Sequence, residues 1–209
     1  EIPYDFLRKR LSILVAHDNS RLMVTKGALK NVLAVCSTAE NGVGTIVDIA
    51  AFQSQIQRQF EEFSGKGYRT LGVACKNMGA ASMIGKSDEI DMTFLGFLVL
   101  FDPPKPNIVE TISSLKSLGV SLKVITGDNH LVAATVSQQI GLSGAKILAG
   151  PELRLLSDAA LLHRVGSVDI FAEIEPNQKE RIILALKKAG NVVGYMGDGI
   201  NDASALHAA

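Results

Sequence analysis

Two rhythms of apolar and polar positions divide this chain, and the change falls at Pro103-Pro104. Before it, short apolar runs at 12–16, 22–25, 70–75 and 95–101 flank helical stretches, a mixture of strands and helices. Lys26-Gly27 is expected to break the second run, with a short helix over 28–36 behind it. The clearest helix of this half spans 46–64, where Ile46, Ile49, Phe52, Ile56, Phe60 and Phe63 recur every three or four residues on one helical face. Gly65 and Gly67 end it. Residues 77–91 are small and aperiodic and read as a loop. After the prolines, helices at 107–118, 129–140, 157–165 and 177–189 alternate with strands at 120–126, 146–148, 168–172 and 192–196. That alternation predicts an α/β unit, a parallel sheet with helices on its faces.

The strand ends carry the candidate chemistry. The run 192–196 feeds into Gly197-Asp198-Gly199-Ile200-Asn201-Asp202, a turn with two carboxylates four residues apart and an amide between. Open α/β sheets bind ligands at the carboxyl ends of their strands, and hard oxygen ligands there suit Mg²⁺ with substrate phosphate oxygens. Asp198 is the expected direct Mg²⁺ ligand; Asp202 is grouped with it, and Asn201 orients the turn and the metal's water. The run 120–125 ends in Thr126-Gly127-Asp128-Asn129, where a hydroxyl and backbone N–H groups facing a helix N-terminus make a phosphate cradle. Asp128 has a second reading as the cap of the following helix. In Pro176-Asn177-Gln178-Lys179, the proline starts a helix and Lys179 lies in its first turn. A cation there opposes the helix dipole, which makes sense if it faces an anion.

Composition narrows the setting. The 209 residues allow one large or two small domains. Lys+Arg and Asp+Glu are both 21, so no basic footprint for nucleic acid or anionic membrane exists. With 47% hydrophobic and 20% charged residues the balance is globular. Cys36 and Cys75 match no metal spacing and read as buried free thiols of a reducing compartment. The histidines at 17, 130, 163 and 207 form no ligand pair and read as surface residues, and Arg8-Lys9-Arg10 reads as a solvated face. No signal peptide is visible, and no apolar run approaches the roughly 20 residues of a membrane helix.

The three strand-end motifs in this order resemble the haloacid dehalogenase superfamily, and more closely the cytoplasmic part of a P-type cation-transporting ATPase. Asp102-Pro103-Pro104-Lys105 is similar to that family's hinge, with Lys105 where Arg is usual. Lys26-Gly27-Ala28 resembles its nucleotide-site lysine motif, and Tyr4 with Arg8-Lys9-Arg10-Leu11-Ser12 its adenine-site segment, with Tyr where Phe is frequent. Ser204 stands where the family usually has proline. The wording of Ile2-Pro3-Tyr4-Asp5-Phe6 and Leu131-Val132-Ala133-Ala134 is most similar to the bacterial magnesium-transporting branch.

The resemblance implies a partial α+β nucleotide-binding domain over 1–101, a hinge over 102–105, and over 106–209 a partial phosphorylation domain with a haloacid-dehalogenase-like parallel sheet. It implies ATP and Mg²⁺ as cofactors. Tyr4 would stack on adenine with Lys9, Lys26 and Gly27 nearby, and Arg69 would sit on the nucleotide phosphates. Thr126 and Gly127 would hold the transferred phosphoryl group beside Asp128, and Lys179 would neutralise it. The parent would be a membrane pump with its ATP-handling part on the cytoplasmic side of the inner membrane. It would move a cation, magnesium by the wording, through an aspartyl-phosphate; its other partners would be the membrane and actuator domains of the same chain.

The family's nucleophilic Asp-Lys-Thr-Gly-Thr string does not occur here, so the chain reads as an excised piece that is inactive alone. The nucleophile's strand lies centrally in the family's sheet, between the strands ending at Thr126 and Met196. Without it those two strands are expected to close on each other, to borrow a neighbour's strand, or to loosen. Two other readings compete. A free-standing phosphatase of the same superfamily would need a nucleophilic Asp early in the chain, and Asp5 lies in no such motif. A nucleotide-binding module without catalysis is the third.

Overall fold

The computed structural model describes residues 1–17, 20–197 and 199–209, in two compact units, Glu1–Asp102 and Pro103–Ala209. The first is built on six strands: β1 (Arg10–His17), β2 (Ser20–Ala28), β3 (Cys36–Glu40), β4 (Ile46–Asp48), β5 (Arg69–Asn77) and β6 (Met92–Leu100). Their order is β1-β2-β5-β6-β3-β4, antiparallel throughout except for the β3–β6 pair. Helices α1 (Leu29–Leu33) and α2 (Ile49–Gly65) supply Leu29, Val32 and Ile56 to a core shared with Met23, Ala74, Met92 and Phe94.

Several boundaries differ from those expected. Lys26-Gly27 does not break β2. The strand runs through to Ala28 because Gly27 lies opposite Arg10, where a Cβ would collide with the Lys9 carbonyl oxygen. Helix α2 starts at Ile49, since Asp48 caps it by accepting from Ala50 N–H at 2.8 Å, and Ile46–Asp48 is drawn into β4 instead. The expected helix over 28–36 stops at Leu33, and Cys36–Glu40 forms β3, a strand with no alternating apolar signal. The aperiodic stretch 77–91 is a loop that places a buried carboxylate, Glu89. A bulge leaves Leu95 unmatched between the pairs Val73–Gly96 and Ala74–Phe94, and Gly96 takes φ 147° there. Cys36 and Cys75 are free and only partly buried; burial pushes the Cys36 thiol up to about 12.

The second unit has a parallel sheet of three short strands, β7 (Val124–Ile125), β8 (Ile147–Ala149) and β9 (Ile170–Ala172), in the order β7-β9-β8. Its helices are α3 (Ile108–Ser117), α4 (His130–Gln139), α5 (Gly150–Leu155), α6 (Asp158–Arg164), α7 (Pro176–Lys188) and α8 (Ala203–Ala208). Leu148, Leu153, Leu161, Val165, Phe171, Ile182 and Leu186 make the core, so α7 packs well. Helix α3 buries no residue. Here the sequence expectation fails in two places. Residues 120–123 are not strand, and neither is 191–197; Val192 and Met196 are fully exposed. Of the three expected outcomes, the closing of the 192–196 run onto β7 does not occur among the described residues, where β7 pairs with β9 on one side.

Candidate functional site

The phosphate-type residues of the second unit form two groups. The first is the turn after β7. Thr126 Oγ1 donates to Asp128 Oδ2 at 2.8 Å and accepts from Asp128 N–H at 3.1 Å. The turn is laced to the one after β9, since Ile174 N–H donates to Thr126 O and Glu173 N–H to Asp128 O. The first amides of α4 are already taken. Asn129 Oδ1 accepts from Leu131 and Val132 N–H at 3.0 Å each, and Glu173 Oε1 accepts from His130 N–H. Asn129 is therefore the cap of α4, and the second reading of Asp128, as that cap, does not hold. Gly127 N–H makes no hydrogen bond among the described residues, and Gly127 is exposed.

The second group centres on Asp202, 6% exposed. Lys179 rises from the first turn of α7, whose start is set by Pro176 and by a box in which Gln178 Oε1 accepts from Glu175 N–H. Its Nζ donates to Asp202 Oδ1 at 2.6 Å, with 7% and 9% of the two side chains exposed. Tyr195 Oη donates to the same oxygen at 2.7 Å, and Gly199 N–H reaches Oδ2 at 3.1 Å. A Cβ on Gly197 would overlap the Asp202 carboxylate, and one on Gly199 the Asn201 side-chain oxygen, so both glycines are required by close approach. The Lys179 hydrogen bond, against burial, holds the Asp202 carboxyl below its ordinary value. Burial first, then Asp202, raises the Tyr195 phenol. Asp198 lies outside the described residues. Among those described, no three His, Cys, Asp or Glu side chains gather as a metal cluster.

The candidate nucleotide residues of the first unit are spread over the sheet. Lys26 is exposed on β2 opposite Val73 of β5. Arg69 is four residues back on β5, so the two project from the same face, roughly 13 Å apart along the strand. Ile13, Val15, Leu22, Leu98 and Leu100 share this face by register, and each is exposed. Lys26 and Arg69 thus stand on an open apolar surface of the kind that marks ligand and interaction sites. Arg69 also lies 3.4 Å from Asp102. Tyr4 is 48% exposed and edge-on to Phe6 at 5.4 Å; it is not a core aromatic. Lys9 takes φ 51°, and its carbonyl accepts from Ala28 N–H.

What sequence reasoning missed is how this edge is pinned. Arg8 Nη1 donates to both oxygens of Glu89 at 2.7 Å, Arg10 Nε at 2.8 Å and Ser12 Oγ at 2.6 Å. The Glu89 side chain is wholly buried, and only 15% and 14% of the two arginines is exposed. The run 8–10 is therefore not a solvated face at its two arginines. The signal was two arginines flanking the start of a strand, Arg10 on the face of Ser12 and Arg8 in the turn before it, but the partner is some 80 residues away. Tyr195 was also missed, hidden inside an apolar run.

Comparison with known proteins adds an independent line. A family model described as "P-type ATPase, cytoplasmic domain N" matches residues 1–107. The chain is 39% identical over its whole length to the Magnesium-transporting ATPase, P-type 1, of Escherichia coli strain K12, covering 24% of that protein. It is likewise 39% identical to the protein of that name from Salmonella typhimurium strain 14028s, covering 23% of it. It is 30% identical over 99% of its length to Calcium-transporting ATPase 1 of Bacillus cereus, again covering 23%. The chain thus spans about a quarter of the length of these relatives.

Proposed function

The chain belongs to the P-type ATPase family, and on that premise we propose that it is the ATP-handling part of a cation pump: a nucleotide-binding unit followed by part of a haloacid-dehalogenase-like phosphorylation domain. The observation that carries the second half is the buried Lys179–Asp202 ion pair. The lysine of one motif and the second acid of another, 23 residues apart in sequence, meet in one buried pair, which supports reading the two motifs as parts of one site. Phosphoryl transfer asks mainly for positioning and charge neutralisation, which Lys179, Thr126 and the Gly127 N–H supply. Asp202, with Lys179, Tyr195 and Gly199 on its oxygens, orients the turn. Asp198 would hold the Mg²⁺, which would supply positive charge to offset that of the phosphoryl group. Asn201 would orient the metal's water, and Asp128 holds the Thr126 hydroxyl.

In the first unit Tyr4 stacks on the adenine beside Lys9 and Lys26, Gly27 lets the Lys9 backbone come close to β2, and Arg69 meets the phosphates. The nucleophilic aspartate belongs to a part of the pump outside this sequence, and 102–105 is the hinge between the units. Full relatives named for magnesium transport support magnesium as the cargo, and calcium is the second candidate. The pump sits in the cell membrane with these units on its cytoplasmic side; no helix among the described residues is long and apolar enough to cross a membrane.

The test is an ATP titration of the chain followed by calorimetry and amide chemical shifts. Shifts confined to Tyr4, Lys9, Lys26 and Arg69 and their neighbours are expected. Failure to bind ATP at millimolar concentration removes the nucleotide reading of the first unit. For the cargo, expression of the whole pump in magnesium-starved cells should restore growth.

A further inference from the structure

We propose that Tyr195 is a positioning residue for phosphoryl binding: its hydroxyl shares Asp202 Oδ1 with Lys179 and so keeps the lysine's remaining protons available to an anion. This rests on Lys179 being the phosphoryl-binding cation of the proposed function.

An ammonium group has three donors and a carboxylate about four acceptor positions. In the second unit, Lys179 Nζ at 2.6 Å and Tyr195 Oη at 2.7 Å converge on one oxygen, while Gly199 N–H takes the other. The Lys179–Asp202 pair is buried on both sides, where attraction between unit charges is strong and poorly screened. Left to itself such a pair draws the ammonium fully onto the carboxylate. A second donor on the same oxygen fills its remaining lone pair, spreads its charge, and fixes the carboxylate's rotation. Lys179 then spends one proton on Asp202 and keeps two. When Lys179 turns towards a phosphate, Tyr195 and Gly199 still satisfy Asp202, and no buried carboxylate is left uncompensated. Phenylalanine at this position would fill the same space without the hydroxyl.

The test uses the whole chain with inorganic phosphate as the probe, followed by ³¹P and amide NMR, with thermal melting alongside. Tyr195→Phe should bind phosphate about two- to tenfold more weakly, the range of one net hydrogen bond, with its melting temperature little changed. Thr126→Ala reports on the underlying site and should also weaken binding. In the unaltered chain the Tyr195 hydroxyl proton should exchange slowly and show a nuclear Overhauser effect to the Lys179 ammonium, a readout that does not depend on any variant folding. If Tyr195→Phe binds phosphate like the unaltered chain while Thr126→Ala does not, the positioning role is wrong and the phosphoryl site stands. A lowered melting temperature with unchanged affinity assigns Tyr195 a structural role only. If the unaltered chain does not bind phosphate, or Thr126→Ala binds equally well, the site itself is misassigned and the proposal falls with it. Absence of the Tyr195–Lys179 Overhauser effect also overturns it.

Discussion

Lys26 and Glu89 show how differently two charged side chains of the first unit work. Lys26 is exposed on an apolar sheet face, so removing it should leave the fold intact and, on the proposed nucleotide role, should take away one charged hydrogen bond to ATP, worth about 1.5–3 kcal/mol. Lys26→Ala should bind ATP roughly tenfold to a hundredfold more weakly, measured by calorimetry at unchanged melting temperature; equal affinity would show that the lysine does not touch the nucleotide. Glu89 is the opposite case. Burial works to raise its carboxyl, but hydrogen bonds from Ser12, Arg8 and Arg10 outweigh it and hold it below its ordinary value of 4.5. A depressed folded-state value means that the stabilisation is present above the ordinary value and is lost as the pH falls through the folded one. Urea midpoints of the first unit should therefore drop below pH 4.5. Glu89→Ala, which leaves two arginines facing a void, should cost about 3–5 kcal/mol at neutral pH and flatten that acid dependence.

Elements of the second unit divide by what they bury. Helix α7 carries Ile182, Ile183 and Leu186 into the core, and its first turn delivers Lys179 to Asp202. Helix α3 buries nothing, β7 is two residues long, and the 192–196 run stays unpaired though its composition is that of a strand. A strand needs a neighbour for its backbone groups, and among the described residues these segments have one too few. Removing the Lys179–Asp202 pair together, as Lys179→Met with Asp202→Leu, should leave stability near that of the unaltered chain. Asp202→Leu alone should cost about 3–5 kcal/mol, because a buried ammonium is then uncompensated. Denaturant midpoints of the three proteins decide this; equal losses in single and double variants would mean that the pair is not coupled.

The whole molecule should behave as two bodies of unequal stability. The first unit has a six-stranded sheet with a buried core against α1 and α2; the second has three short strands. Hydrogen exchange should find Val73 protected well beyond Val124 and Val193, and equal protection of all three would count against an incomplete sheet. The chain should also release no phosphate from ATP, since covalent transfer needs a carboxylate nucleophile in line with the phosphate and the family's nucleophile motif is absent from the sequence. Release above a protein-free control that is abolished by Asp198→Ala would contradict this.

Local pattern was enough for much of this. The 3.6-residue period of Ile49, Phe52, Ile56 and Phe60, the glycine stops, and the helix starting at Pro176 follow from neighbours within a few positions. The motifs at Thr126, Lys179 and Asp202 carried the family, which the matched residues 1–107 then supported independently. Tertiary structure alone decided the rest. Whether 192–196 is a strand depends on a partner, not on its β-rich composition. Cys36–Glu40 becomes a strand because β6 lies beside it. Glu89 is buried because Arg8, Arg10 and Ser12, some 80 positions earlier, converge on it, and Tyr195 matters because its hydroxyl meets an oxygen already held by Lys179. Periodicity records which way a side chain faces; which charge or strand waits there is settled only when distant segments pack.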